Sequence, residues 1–164
     1  MLNTEGKENI VKQFYESLYH IIRDSQNPFY IYYDKRFSYQ DCYKKMLNIN
    51  SVLYKMRNKR IALHTTKSFE AYCGIFSIFL SGNVWVPLNP TQPANRLKDM
   101  IKVAEPQMIL TDCKIDEEIL EHAAKEKIKV LNLQEIIGKN DHKEFELCDF
   151  NYDDIAYIMF TSGS

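Results

Sequence analysis

Four small residues carry the first chemical signal. Thr161, Ser162, Gly163 and Ser164 follow the apolar run from Asp154 to Phe160. Small side chains after a strand let backbone N–H groups turn toward an anion, and hydroxyls add donors, so this run is a candidate phosphate cradle. Other residue types give less. The histidines at 20, 64, 122 and 142 share no ligand spacing, and His64, ending an apolar stretch beside Thr65 and Thr66, reads as a satisfied core or edge histidine. Glu117, Glu118 and Glu121 near Lys125 read as a solvated helix face. There is no G-x-G-x-x-G, no G-x-x-x-x-G-K-[ST] and no Ser-His-Asp order, so dinucleotide-fold, P-loop and hydrolase readings lack their motifs.

The elements that must hold such a loop follow from hydrophobic pattern. Residues 8–23 predict an amphipathic helix with Ile10, Phe14, Leu18 and Ile21 as its stripe, widened by Val11 and Ile22. Pro28 to Tyr33 and the stretch from Phe37 predict a hairpin across Asp34-Lys-Arg36. Ser38 with Asp41 three residues on predicts a capped helix from Tyr39 to about Arg57, burying Cys42, Tyr43, Met46, Ile49 and Leu53. Then come a strand over Arg60–His64, a helix over Ser68–Ser81 that is apolar almost all round, and Gly82 as its left-handed stop. Val84–Val86 is a strand, Pro87–Pro90 a rigid loop, Ala94–Ala104 a helix, Pro106–Thr111 a strand, Ile115–Lys127 a helix and Ile128–Leu133 a strand. Residues 138–151 are connective, and Asp154–Phe160 is the last strand. Strands alternating with helices imply an α/β fold with a mostly parallel sheet and flanking helices.

Composition narrows the class. A chain of 164 residues with 45% hydrophobic and 13% aromatic content suits one domain with a real core. A net charge of −1 makes no electrostatic case for nucleic acid or an acidic membrane. The basic cluster Lys55 to Arg60 reads as a solvated helix end. The cysteines at 42, 73, 113 and 148 have no C-x-x-C spacing, the N-terminus has no apolar signal region, and the longest apolar stretch, Ala71 to Leu80, is too short for a bilayer. The expectation is a cytoplasmic protein with free thiols.

Taken in order, several segments resemble the adenylate-forming (AMP-binding) enzyme superfamily. Phe160-Thr-Ser-Gly-Ser164 is similar to the first half of its phosphate loop, Tyr-Thr-Ser-Gly-Ser/Thr-Thr-Gly-x-Pro-Lys-Gly, with Phe160 where Tyr is common. Upstream, Phe37-Ser-Tyr-Gln-Asp41, Ile61 to Ala71, Phe76 to Pro90, Pro93-Ala-Asn-Arg-Leu97 and Glu105 to Asp112 resemble successive family segments. The Pro-x-x-Arg-Leu element leans toward the amino-acid adenylation domains of nonribosomal peptide synthetases and the D-alanine-activating ligases, rather than the fatty acyl-CoA synthetases.

The resemblance implies a ligase that uses ATP and Mg²⁺ to convert a small carboxylic or amino acid into an acyl-adenylate. The acyl group then passes to a thiol or amine, such as carrier-protein phosphopantetheine or CoA. It implies that Thr161, Ser162, Gly163 and Ser164 contact the nucleotide, while no catalytic or metal-ligating residue is carried over. Gly82, Pro87, Asn89, Pro90 and Arg96 match family positions and read as structural, with Arg96 neutralising a helix end or a carboxylate. Trp85 reads as a core aromatic. Residues 1–164 are then expected to be a partial N-terminal domain that stops within the phosphate loop and is inactive alone, with self-association through uncovered apolar surface. Two other readings stay open: a non-catalytic binding module that kept only the fold, and a generic nucleotide binder.

Overall fold

In a computed structural model, residues 4–139, 141–147 and 150–161 are described. The elements run α1 (Thr4–Asp24), β1 (Pro28–Tyr32), β2 (Lys35–Ser38), α2 (Tyr39–Leu53), β3 (Arg60–His64), α3 (Phe69–Leu80), β4 (Val84–Leu88), α4 (Ala94–Ala104), β5 (Met108–Thr111), α5 (Glu117–Lys125), β6 (Lys129–Asn132) and α6 (Leu133–Ile137). β1 and β2 form an antiparallel hairpin, and β3 to β6 form a parallel sheet in the order β4-β3-β5-β6. This is the expected α/β class.

A parallel sheet must be covered on both faces, and period-2 alternation sorts its residues accordingly. Ile61, Leu63, Met108 and Leu110 face a core shared with α2, α3 and α6. Ala62, Val86, Leu88 and Ile109 face a second core built with Leu97, Ile101, Ile119 and Ala123 of α4 and α5. The apolar-all-round α3 lies between the sheet and α2. It approaches so closely at Gly74 that a Cβ there would stand 2.9 Å from Leu63 Cδ1.

Local chemistry sets the boundaries. The Ser38 hydroxyl accepts the Asp41 N–H at 3.1 Å while the Asp41 carboxylate accepts the Ser38 N–H at 2.9 Å, the reciprocal cap that starts α2. Gly82 ends the α3 region at φ 68°, as expected. α2 stops at Leu53 rather than near Arg57, because Lys55 and Asn58 take left-handed conformations that turn the chain into β3. α5 is likewise shorter than expected, with Lys127 at φ 57° beyond its end. The short helix α6, capped by Asn132, was absent from the sequence-based expectation.

Two expectations change more. Half of the predicted stripe of α1 faces the core: Ile22 is fully buried and Leu18 packs against it, while Ile10, Phe14 and Ile21 are exposed. Tyr15 and Tyr19, which the stripe did not include, also pack on this core, and Tyr19 meets Tyr43 of α2 edge-on with hydroxyls 3.2 Å apart. The helix is rotated so that Tyr15 and Tyr19 join Leu18 and Ile22 in the contact and Ile10, Phe14 and Ile21 are left outside.

The second change concerns Asp154–Phe160, which is extended but joined to β4 by one parallel bridge, Trp85 to Tyr157. Trp85 N–H donates to the Ala156 carbonyl at 3.0 Å and Ile158 N–H donates to the Trp85 carbonyl at 2.9 Å. The next rung would need an N–H from residue 87, which is Pro87, so the ladder ends there. Pro87 and Leu88 belong to β4, and the irregular loop begins at Asn89.

Candidate functional site

All strands of the parallel sheet end on one side, so His64, Leu88, Thr111 and the chain at Thr161 share one carboxyl edge. β3 leads to β4 on one flank and β5 to β6 on the other, so the order reverses between β3 and β5. Open α/β sheets bind ligands at such points, because the two outgoing loops diverge and leave a crevice.

Here the crevice is filled by the chain itself. His64 is buried, and its Nδ1 lies 3.1 Å from Thr111 Oγ1 and 3.6 Å from Cys113 Sγ. Burial lowers the His64 pKa from its ordinary value and raises that of the Cys113 thiol. Both groups are therefore neutral, and the pair is no thiolate–imidazolium nucleophile. His64 is the satisfied core histidine the sequence suggested.

Beside it, Asp112 fixes the loop leaving β3. One carboxylate oxygen accepts the Thr66 N–H at 2.9 Å; the other accepts the hydroxyls of Thr66 at 3.0 Å and Ser68 at 2.5 Å. Ser68 also caps α3 by accepting the Ala71 N–H. From the opposite side Tyr30 of the hairpin donates to the Lys67 carbonyl at 2.7 Å. Residues 66–68 are thus held from two directions. Sequence reasoning did not single out Asp112 or Tyr30; the trace of them was a hydroxyl-rich loop after one strand and an acid after another.

The flank of β4 is open. A cavity of about 520 Å³ lies between Tyr72 and Ile75 of α3 and Trp85 and Pro87 of β4, rimmed by Thr65–Lys67 and Asn89–Thr91. Its walls are mostly apolar. Trp85, read from sequence as a plain core aromatic, lines it, and the buried Trp85 Nε1–H has no acceptor among the described residues. A buried donor left over in this way is available to a ligand or water.

Of the candidate phosphate-loop residues, Thr161 is described and exposed; Ser162, Gly163 and Ser164 lie outside the described residues. Thr161 has one partner of note: Arg96, in the first turn of α4, donates from Nη2 to the Thr161 carbonyl at 3.3 Å. This corrects the expectation that Arg96 neutralises a helix end or a carboxylate. An exposed guanidinium and a hydroxyl at a sheet's carboxyl edge suit an anion. Among the described residues, no group of three or more His, Cys, Asp or Glu is placed to hold a metal ion, and no helix is long and apolar enough to cross a membrane.

Comparison with known proteins now gives the class. Residues 21–164 match the family described as AMP-binding enzyme, and the chain belongs to that family. It is 27% identical over 142 residues to indigoidine synthase of Dickeya dadantii, covering 82% of this chain and 10% of that protein. It is 33% identical over 110 residues to the ferrichrome siderophore peptide synthetase of Mycosarcoma maydis, covering 63% of this chain and 2% of that protein. The chain therefore spans a small part of these relatives. The N-terminal subdomain of Klebsiella oxytoca NpsA superposes with a TM-score of 0.73 at 18% identity, over 94% of this chain and 39% of that one. Apo MatB from Rhodopseudomonas palustris gives 0.70 at 25% identity, over 79% and 28%. The fold is that of the opening portion of an adenylation-enzyme N-terminal domain.

Proposed function

We propose that this chain is the first part of the nucleotide-binding domain of an ATP-dependent ligase. In this reading a carboxylate oxygen of a small carboxylic or amino acid attacks the α-phosphorus of ATP. The bond to pyrophosphate breaks, and an acyl-adenylate results. A thiol, on carrier-protein phosphopantetheine or CoA, then attacks the acyl carbon and AMP leaves. Residues 1–164 form a partial N-terminal domain that lacks the rest of the phosphate loop and does not complete the reaction alone. A cytoplasmic setting, which offers ATP and reduced thiols, suits the chemistry.

The observation that carries the reading is Thr161 at the carboxyl edge of the sheet, held through its carbonyl by Arg96 and followed in sequence by Ser162, Gly163 and Ser164. Thr161, Ser162, Gly163 and Ser164 contact the nucleotide phosphates through hydroxyls and backbone N–H groups. Arg96 fixes where that loop begins. The described residues suit a phosphate better than a bare cation: they offer a guanidinium and a hydroxyl, without clustered carboxylates. Mg²⁺ accordingly arrives with the ATP phosphates and neutralises their charge. The ATP-bound MatB-derived chimera, 26% identical to this chain, and the artificially fused NpsA–ThdA adenylation–carrier di-domain lend support to nucleotide and carrier-protein partners.

Carboxylate-dependent ATP–pyrophosphate exchange tests it. A longer protein that continues past Ser164 should exchange with a panel of small acids, and the 164-residue chain should be silent. Absence of exchange from the longer protein with every acid, despite Mg²⁺-dependent ATP binding, would turn the reading to a generic nucleotide binder. Absence of both would turn it to a non-catalytic module.

A further inference from the structure

The core between α2 and α3 holds a pair of thiols that the adenylating reading leaves unused. Cys42 lies in α2 and Cys73 in α3, about 30 positions apart in sequence. Both are free and fully buried in the core that the two helices share. Their side chains are hydrogen-bonded to each other, and the Cys42 thiol lies 3.6 Å from Met46 Sδ. A buried cysteine serves as a small apolar residue, and that accounts for either one alone. It does not account for two that meet across a helix–helix contact. Sulfurs already in contact reach the disulfide bond length of about 2.05 Å through small side-chain rotations.

We infer that Cys42 and Cys73 form a reversible disulfide under peroxide, a redox-responsive staple that ties α3 to α2. Position gives the bond a consequence. α3 begins at Ser68, which Asp112 holds, and it carries Tyr72 and Ile75, which wall the cavity beside β4. Oxidation therefore fixes against α2 the helix that shapes both the latched loop and the cavity. Both thiols are internal, so the inference rests neither on the adenylating reading nor on any exposed surface.

The oxidant is hydrogen peroxide, small enough to enter a core that excludes bulkier disulfides. Cys42 stands near the N-terminus of α2, where helix N–H groups favour a thiolate. That thiolate attacks one peroxide oxygen, the O–O bond breaks, hydroxide leaves, and a sulfenic acid forms. The Cys73 sulfur then attacks the Cys42 sulfur, the S–O bond breaks, and water leaves. Overall the two thiols lose two electrons and two protons, and the peroxide becomes two waters. Burial and the Cys42 thiol hold the Cys73 pKa well above its ordinary value, so the reduced pair is quiet until the core opens locally.

Hydrogen peroxide treatment of the folded chain, followed by alkylation and peptide mapping, tests the staple. The expected result is one pair of peptides joined through Cys42 and Cys73, two hydrogens lighter than the reduced pair and separated again by dithiothreitol. The urea midpoint of the oxidised chain should rise by about 1 M or more, since the bond closes a loop of about 30 residues in the unfolded state. Cys73→Ala should leave a sulfenic acid at Cys42 that dimedone traps. Cys42→Ala should abolish both the joined peptides and the rise in midpoint. Circular dichroism confirms that each variant is folded; should both unfold, mapping of the unsubstituted chain decides alone. Alkylatable thiols at Cys42 and Cys73 under conditions that oxidise the more accessible Cys113, a sulfinic acid at either position, a bond formed only in denaturant, or a lower urea midpoint after oxidation would each overturn the inference.

Discussion

The two flanks of the carboxyl edge end their strands in opposite ways. Between β3 and β5, polar groups find each other: His64 meets Thr111, Asp112 gathers Thr66 and Ser68, and Tyr30 closes on Lys67. Beside β4, an apolar cavity remains, with an indole N–H and a strand edge that find no partner among the described residues. Both flanks belong to one sheet, so composition does not separate them. What separates them is position. β3 and β5 are interior strands with neighbours on both sides, whereas β4 has one full neighbour and a partial one that Pro87 interrupts. Stability is concentrated where the chain satisfies itself, and binding capacity where it does not.

The sharpest way to break that comparison is to delete equal bulk from each flank. Leu110 of β5 is completely buried. Leu110→Ala should cost about 3 kcal/mol, since it removes apolar contacts and leaves a cavity. If urea unfolding showed a loss of less than about 1 kcal/mol, the closed flank would not be the stable one.

Asp112→Ala should come next, at about 2 kcal/mol. It strips three donors of a charged acceptor at once and loosens Ser68, the cap of α3. Hydrogen exchange at the Thr66 amide sharpens the test. That amide should become unprotected in the variant while amides in β6 stay slow. Uniform change across the sheet would mean that Asp112 acts through global stability rather than by latching residues 66–68.

A smaller effect follows from His64. Burial lowers its folded-state pKa below the ordinary 6.5, the value it regains when the chain unfolds. Between the two values the unfolded state binds more protons, so stability rises with pH through that window. The contribution of neutral His64 is therefore fully present above about pH 6.5 and is lost as the pH falls toward the folded value. His64→Gln, which keeps a hydrogen-bonding side chain near Thr111 without titrating, should flatten the slope of stability against pH below that point. An unchanged slope would show that another group sets the acid sensitivity.

How much of this was legible in sequence depends on how far apart the partners lie. The Ser38–Asp41 cap, the buried α3 and the stop at Gly82 are written within a few residues, and pattern reasoning finds them. The facing of α1 is not, because two adjacent arcs of the helix are both apolar; Tyr43 of α2 decides between them through Tyr19. The Asp112 latch joins residues about 45 positions apart, and the Arg96 contact to Thr161 spans 65. The cavity is a property of how α3 and β4 meet. For the same reason an extended segment at Asp154–Phe160 was readable, but not its pairing, which Pro87 limits from another strand.

The smallest expected stability change is the most discriminating between the flanks. Met159 is 55% exposed and, among the described residues, holds no backbone partner on its outer side. Met159→Ala should therefore shift unfolding free energy by no more than about 0.5 kcal/mol, since little apolar area leaves the interior. A fall in stability comparable to that of Leu110→Ala would place Met159 in the core, and the contrast between a self-satisfied flank and an open one would fail at the residue meant to exemplify it.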